Sequence, residues 1–184
     1  IVRLQVGRLV GDGAIDGAAD AQRQANDLLA PVADAGNTVQ RPGNAGAIGS
    51  LPLWLAKTER DNPPAQLLSV ASLFNLEQFY SAAGVDVTAA NDQRALQEPW
   101  RQHTARWLAE ASAAIAQAVN CAACLLDLEG VIVDGSFDAS LRARLIASVD
   151  QALDRHSWEG VARPAVLAGT IGSDARAIGG ALLP

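Results

Sequence analysis

The second half of the chain alternates helical and strand patterns, and this alternation limits the fold more than any other feature. An apolar stripe runs through residues 100–122, and the buried-strand pattern GVIVDGS follows at 130–136. A second helical stripe from Leu141 to Leu153 leads to the strand pattern AVLAGT at 165–170, and 171–184 predicts a final helix. Two buried strands joined by a helix predict a partly parallel α/β sheet.

The first half of the chain predicts two strands and a helix. Ile1 to Val6 has the pattern of a buried strand, and Val10 to Ile15 predicts a second strand joined through Gly7. Residues 18–40 are polar and alanine-rich, which predicts an insertion or a surface excursion. An apolar stripe predicts a helix over 65–82; its members are Leu68, Ala71, Leu73, Leu76, Phe79 and Tyr80.

A short segment precedes the long helix. Asn91–Gln97 predicts a helical turn, and Pro99 suits the first turn of a helix because that position needs no N–H donor. One face of the long helix then stays apolar for about six turns. Its members are Trp100, Thr104, Trp107, Leu108, Ala111, Ile115, Ala118 and Ala122.

Composition narrows the function classes. The 184 residues suffice for one core or for one lobe of a larger protein, and 49% apolar content excludes a disordered or fibrous chain. A net charge of −6 argues against nucleic-acid binding by this segment itself. No apolar run approaches the roughly 18 residues of a membrane span. We therefore expect a cytoplasmic protein with no membrane partner.

The chain begins at Ile1 inside a strand pattern and contains no methionine. Native chains begin with methionine and usually with a looser segment. We therefore expect that an N-terminal region precedes these residues in a longer protein.

Four segments, in this order, resemble the ROK family of bacterial sugar kinases and sugar-responsive repressors. GRLVGDGAIDG (7–17) is similar to the family's hairpin near the phosphates, and GNAGAIGSLP (43–52) is similar to its sugar-binding turn. NCAACLLDLEGVIVDGS (120–136) and AGTIGSDARAIGGALL (168–183) are similar to the segments that frame the adenine nucleotide. The resemblance implies that residues 1–184 form the C-terminal lobe of an actin-like ATPase (ribonuclease H-like) fold, a mixed sheet with flanking helices.

The resemblance assigns a sugar site to the second segment and to one later glutamate. Its members are Gly43, Asn44, Gly46, Ser50 and Glu77. The kinase turn reads Gly-Asn-Ala-Gly-Glu-Ile-Gly-His, and here Ala47 and Ser50 replace its Glu and His. Alanine cannot accept a proton from a sugar hydroxyl. A purely structural turn and, for Glu77, a helix-surface carboxylate remain the alternatives.

The family's zinc motif is also altered. In the kinases this cysteine-rich motif ends in Cys-x-Glu, and the matching stretch here is LLSVASLFNLE at 67–77. The cysteine places hold Leu68, Val70 and Asn75, which are not zinc ligands. We therefore expect no zinc and no other metal, and a packed apolar helix in place of the zinc loop.

The resemblance also implies a vestigial nucleotide site. Its members are Gly11, Gly13, Asp134, Gly135 and Gly172. The family's Gly-Thr-Gly is Gly7-Arg8-Leu9 here, and its double glycine near the ribose is Asp134-Gly135, whose carboxylate would repel a polyphosphate. The family's catalytic Asp lies in the N-terminal lobe, so we assign no catalytic residue. For the glycines of 169–179, close packing is the alternative to nucleotide binding.

Cys121 and Cys124 form a C-x-x-C pair at i and i+3 of the long helix. A redox pair or half of a metal site would need a turn or further ligands. We expect two small buried thiols in a reducing compartment.

A retained turn without its reactive groups predicts the effector-sensing domain of a ROK-type transcriptional regulator that is catalytically inactive. Such a domain binds a small sugar, needs no cofactor, reaches DNA only through an N-terminal domain, and forms a homodimer or higher homo-oligomer. One alternative is an atypical ROK sugar kinase that transfers the γ-phosphoryl group of ATP, with Mg²⁺, to a hexose-like sugar. The other is a pseudo-enzyme scaffold that binds neither ligand.

Overall fold

A computed structural model describes residues 2–7, 47–53, 64–126 and 128–169 of the chain. Within these ranges three strands form one sheet: β1 (Val2–Gly7), β4 (Gly130–Gly135) and β5 (Ala165–Ala168). Two further strands, β2 (Pro52–Leu53) and β3 (Ala65–Gln66), pair with each other in a separate antiparallel ladder.

Four α-helices and three short 3-10 helices surround the strands in the described ranges. The α-helices are α1 (Leu67–Ala71), α2 (Leu73–Ala82), α3 (Arg101–Leu125) and α4 (Ala139–Leu153). The 3-10 helices are Ala47–Ser50, Val87–Asn91 and Gln93–Leu96. The chain is therefore α/β, as the alternation of patterns predicted.

Strand β4 is the centre of the three-stranded sheet. It pairs antiparallel with β1, placing Val2 opposite Gly135, and parallel with β5, placing Gly130 opposite Ala165. Parallel neighbours need a crossover connection, and α4, which lies between β4 and β5 in the sequence, provides it. The predicted helix, strand, helix and strand are thus confirmed.

Four other predictions are not confirmed: one has a different outcome, and three lie outside the described residues. Strand β5 is partly exposed rather than buried, because in the described ranges it has a strand neighbour on one side. The predicted strand Val10 to Ile15, the excursion at 18–40 and the final helix of 171–184 lie outside the described residues.

Helix α3 is buried along most of its length because it packs against α4 and also against α1 and α2. Small alanine side chains let these helices approach closely, so burial extends beyond the single face that the stripe predicted. Its buried members are Thr104, Trp107, Ala111, Ser112, Ala114, Ile115, Ala116, Ala118, Val119 and Ala123. The predicted members Leu108 and Ala122 are only half-buried.

The helix predicted over 65–82 is interrupted at Ser72. This residue is extended (φ −73°, ψ 152°), and its Oγ accepts from the N–H of Asn75 at 3.2 Å, which caps α2. The indole Nε1 of Trp107 donates to the Ser72 carbonyl at 3.1 Å. Because the helix restarts here, the periodicity before the break shifts: Leu67 is buried and Leu68 is 55% exposed. The expectation that Leu68 faces the core was wrong.

The segment before α3 is also helical, as predicted for residues 91–97, although it divides into two 3-10 helices. Pro99 lies two residues before Arg101, the first residue of α3, rather than in its first turn, and Trp100 is the N-cap.

Among the helices of the described ranges, α3 alone has the length and the apolar composition that a membrane-spanning helix needs. A helix in a protein core passes the same test, and Trp107, Ile115 and Val119 of α3 are fully buried. The expected cytoplasmic location therefore stays a prediction.

Candidate functional site

The carboxyl ends of the parallel strands β4 and β5 meet at one edge of the sheet. Asp134 and Gly135 end β4, and Gly169 follows β5 and continues the parallel ladder by donating its N–H to the Val133 carbonyl at 2.9 Å. In open α/β sheets, ligands bind in the crevice outside this edge. Two of the five residues assigned to the vestigial nucleotide site, Asp134 and Gly135, therefore lie where a ligand would be expected.

The Asp134 carboxylate is buried at this edge and already engaged. The side chain is 6% exposed, and its Oδ1 accepts from the N–H of Gly135 at 2.8 Å. Arg142, on the second turn of α4, contacts the same oxygen through Nη1 at 3.1 Å. The guanidinium partly offsets the negative charge, so the repulsion of a polyphosphate expected from the sequence is weaker than that of a free carboxylate.

Gly169 leaves the space that the Asp134 side chain occupies. A Cβ on Gly169 would overlap the Cβ and Cγ atoms of Asp134 and would lie 2.7 Å from Oδ2. This close approach explains the glycine by packing, one of the two alternatives for the glycines of 169–179. It also fills the crevice beside β4 with a side chain.

The N-terminus of α4, which is nearby, is capped by the carboxylate of Asp138. The Asp138 Oδ1 accepts from the N–H groups of Ser140 at 2.9 Å and Leu141 at 3.1 Å. A phosphate binds a helix N-terminus through these same unpaired donors. The Asp138 cap therefore competes with any phosphate at this helix.

The predicted sugar site is described only at two of its five members. Ser50 is exposed and ends the 3-10 helix Ala47–Ser50, which contacts α1; an added Cβ on Gly49 would lie 3.6 Å from the Leu68 Cβ. Glu77 is half-buried on α2. Its other members, Gly43, Asn44 and Gly46, lie outside the described residues, as do Gly11, Gly13 and Gly172 of the nucleotide site.

The segment that matches the zinc motif is packed through apolar contacts. Leu67, Val70 and Leu76 are buried in the main core. The Asn75 Nδ2 donates to the Val70 carbonyl at 3.0 Å, so this side chain closes the joint between α1 and α2. The expectation of a packed apolar segment is confirmed, as two short helices. No group of three or more potential metal ligands occurs in the ranges that the structure describes.

Both cysteines are free and exposed on the last turn of α3. The prediction of two buried thiols was wrong, because Cys121 and Cys124 lie on the exposed side of α3, whereas Ala123 between them is buried. Cys124 also lines a cavity of about 300 Å³ together with residues of the loop after α4, among them Gly160 and Val161.

Sequence reasoning missed the roles of Arg142 and Gly169. A signal was present for Arg142, because it lies four residues after the Asp138 cap and therefore near the start of α4. No pattern in the sequence indicated that Gly169 would pack against the Asp134 side chain, since the contact joins two strand ends that are 35 residues apart.

The chain was compared with models of protein families and with curated proteins. No family model matches it, and no curated protein matches it. The likeness to the ROK family therefore depends on the four sequence segments, and what it implies is a proposal.

Proposed function

We propose that this chain is the sugar-sensing lobe of a ROK-type transcriptional regulator and that it has no catalytic activity of its own. The sugar would lie against the turn that ends at Ser50, with Glu77 as the hydroxyl acceptor. DNA binding would require an N-terminal domain, and the regulator would work as a homodimer or higher homo-oligomer. Binding of the sugar would shift the balance between two arrangements of that assembly.

The observation that carries the proposal is the occupied carboxyl edge of β4 and β5. The Asp134 side chain, held by Arg142 and in close contact with Gly169, stands where the resemblance would put a ribose and its phosphates. Phosphoryl transfer depends on positioning and on positive charge around the transferred group. This edge carries two carboxylates, Asp134 and Asp138, and one guanidinium, Arg142, so it does not supply that positive charge.

Two further features support the same proposal. The mixed sheet, with a parallel pair joined by α4, is compatible with an actin-like lobe, and that finer fold assignment is part of the proposal. The packed joint of α1 and α2 supports binding without zinc, because Val70 and Asn75 make structural contacts at places where the kinases carry cysteines.

Calorimetry on the full-length protein with a panel of monosaccharides and disaccharides tests the proposal. We expect one saccharide to bind, and Glu77→Ala to weaken that binding by at least about tenfold because a hydroxyl acceptor is lost. Gln78→Ala, at the next and exposed position of α2, is the matched control and should bind like the parent.

A coupled assay for ADP release in the same samples separates the two main hypotheses. The regulator predicts no saccharide-dependent ADP release, and a reporter with the regulator's own operator should respond to the saccharide that binds. Saccharide-dependent ADP release would favour the kinase, and absence of any saccharide binding would favour the scaffold.

A further inference from the structure

Cys121 and Cys124 are two exposed thiols on one face of the last turn of α3. Side chains at i and i+3 of a helix are neighbours, with about 5–6 Å between their Cβ atoms. A disulfide needs Cβ atoms about 3.5–4.5 Å apart, so closing one here would distort the turn. Two metal–sulfur bonds of about 2.3 Å each hold sulfur atoms farther apart than a disulfide does.

We propose that this pair forms a two-thiolate site for one soft cation of the Cu(I) class. Thiolates select soft ions. Cu(I) accepts two sulfur ligands in a near-linear arrangement, so it does not need the turn or the further ligands that a four-coordinate zinc site would need. Two ligands are what this end of the helix offers, since the described residues hold no cluster of three or more potential metal ligands. Binding forms two Cu–S bonds and releases the two thiol protons to solvent, and the copper stays in the +1 state throughout.

The surroundings leave the pair open to an incoming ion. Both thiols are exposed near the end of α3, which ends at Leu125, so the ion can reach them from solvent. A cavity of about 300 Å³ lies on one side of Cys124 and leaves space next to that thiol. This inference goes beyond the proposed function and does not depend on it.

Titration of the reduced full-length chain with Cu(I), in competition with a Cu(I) chelator under anaerobic conditions, tests the site. We expect one equivalent of copper per chain, seen as a single added copper mass in native mass spectrometry and as thiolate-to-copper absorption. Cys121→Ser and Cys124→Ser should each lower the affinity by at least roughly a hundredfold.

A relocated pair separates a two-thiol site from binding by isolated cysteines. Cys121→Ala combined with Ala122→Cys keeps two thiols but places them at i and i+2, which do not face each other on a helix. We expect this variant to bind as weakly as the single serine variants, with unchanged circular dichroism showing that it folds. Equal affinity in the relocated pair, or copper held only between two chains, would overturn the proposal.

Discussion

A buried chain of hydrogen bonds links α2 to α3 through two side chains. Tyr80 and Thr104 are almost completely buried, with their oxygen atoms 2.6 Å apart. The single hydroxyl proton of Thr104 is donated to the Ala95 carbonyl at 2.5 Å, so Tyr80 is the donor to Thr104. Burial raises the pKa of Tyr80, which keeps its phenol protonated as that donor.

Because Tyr80 donates to Thr104 and Thr104 donates to Ala95, the loss of either side-chain hydroxyl should have a different cost. We expect Tyr80→Phe to cost about 1 kcal/mol, because Thr104 keeps its bond to Ala95. Thr104→Val has nearly the same shape but leaves the Tyr80 hydroxyl and the Ala95 carbonyl unpaired, and should cost about 1–3 kcal/mol. Urea unfolding of both variants measures the difference, with exposed Ser81→Ala as the control. A larger loss for Tyr80→Phe would contradict the assigned direction.

At the scale of elements, periodicity predicted which segments are helices and strands but not where a partner interrupts them. The stripe over 65–82 indicated one helix because apolar spacing continues across Ser72. The interruption depends on the indole of Trp107, which lies 35 residues later and donates to the Ser72 carbonyl. Local propensity contains no information on such a contact, whereas the cap at Asp138 is local and was predictable.

The N-cap of α4 gives a prediction for that element. Asp138→Ala removes the acceptor for the N–H groups of Ser140 and Leu141 and should lower the free energy of unfolding by about 1 kcal/mol. Asp138→Ser keeps an oxygen at the same position and should retain most of the stability. Thermal unfolding monitored by circular dichroism compares the two. Equal losses in both variants would show that the cap does not stabilise α4.

At the scale of the whole molecule, the α/β class and the parallel pair were predictable, because each element has a clear pattern. The chemistry at the strand ends was only partly predictable. Asp134 and Gly135 were identified through the resemblance, whereas Arg142 and Gly169 come close to Asp134 only after β4, α4 and β5 have assembled. The exposure of Cys121 and Cys124 likewise depends on which side of α3 the rest of the fold covers.

Asp86 contributes to the response of the chain to acid. The bond from the Thr88 N–H, followed by the bond from Arg94, lowers the pKa of Asp86 from 3.8 to about 2. Because the unfolded chain takes up this proton first, the contribution of Asp86 is complete above its ordinary pKa and is lost as pH falls toward about 2.

Replacement of this carboxylate tests the pH dependence. We expect stability between about pH 4 and pH 2 to fall less steeply in Asp86→Asn than in the parent chain. The Arg94–Asp86 pair is partly exposed (side chains 40% and 47%), so added salt should reduce the difference. Denaturant unfolding across this pH range provides the measurement. An unchanged slope would show that the Asp86 carboxylate does not contribute to this pH dependence.

The contact between Gly169 and Asp134 makes the two positions interdependent over evolutionary time. A side chain at 169 would overlap the one at 134 unless the strand ends shift, so we expect a relative with a side chain at 169 to have glycine at 134. Substitutions at these positions should therefore be inherited as a pair, and an ancestor with glycine at both would have had an empty notch there. The order of the two replacements would show when a side chain first filled that space.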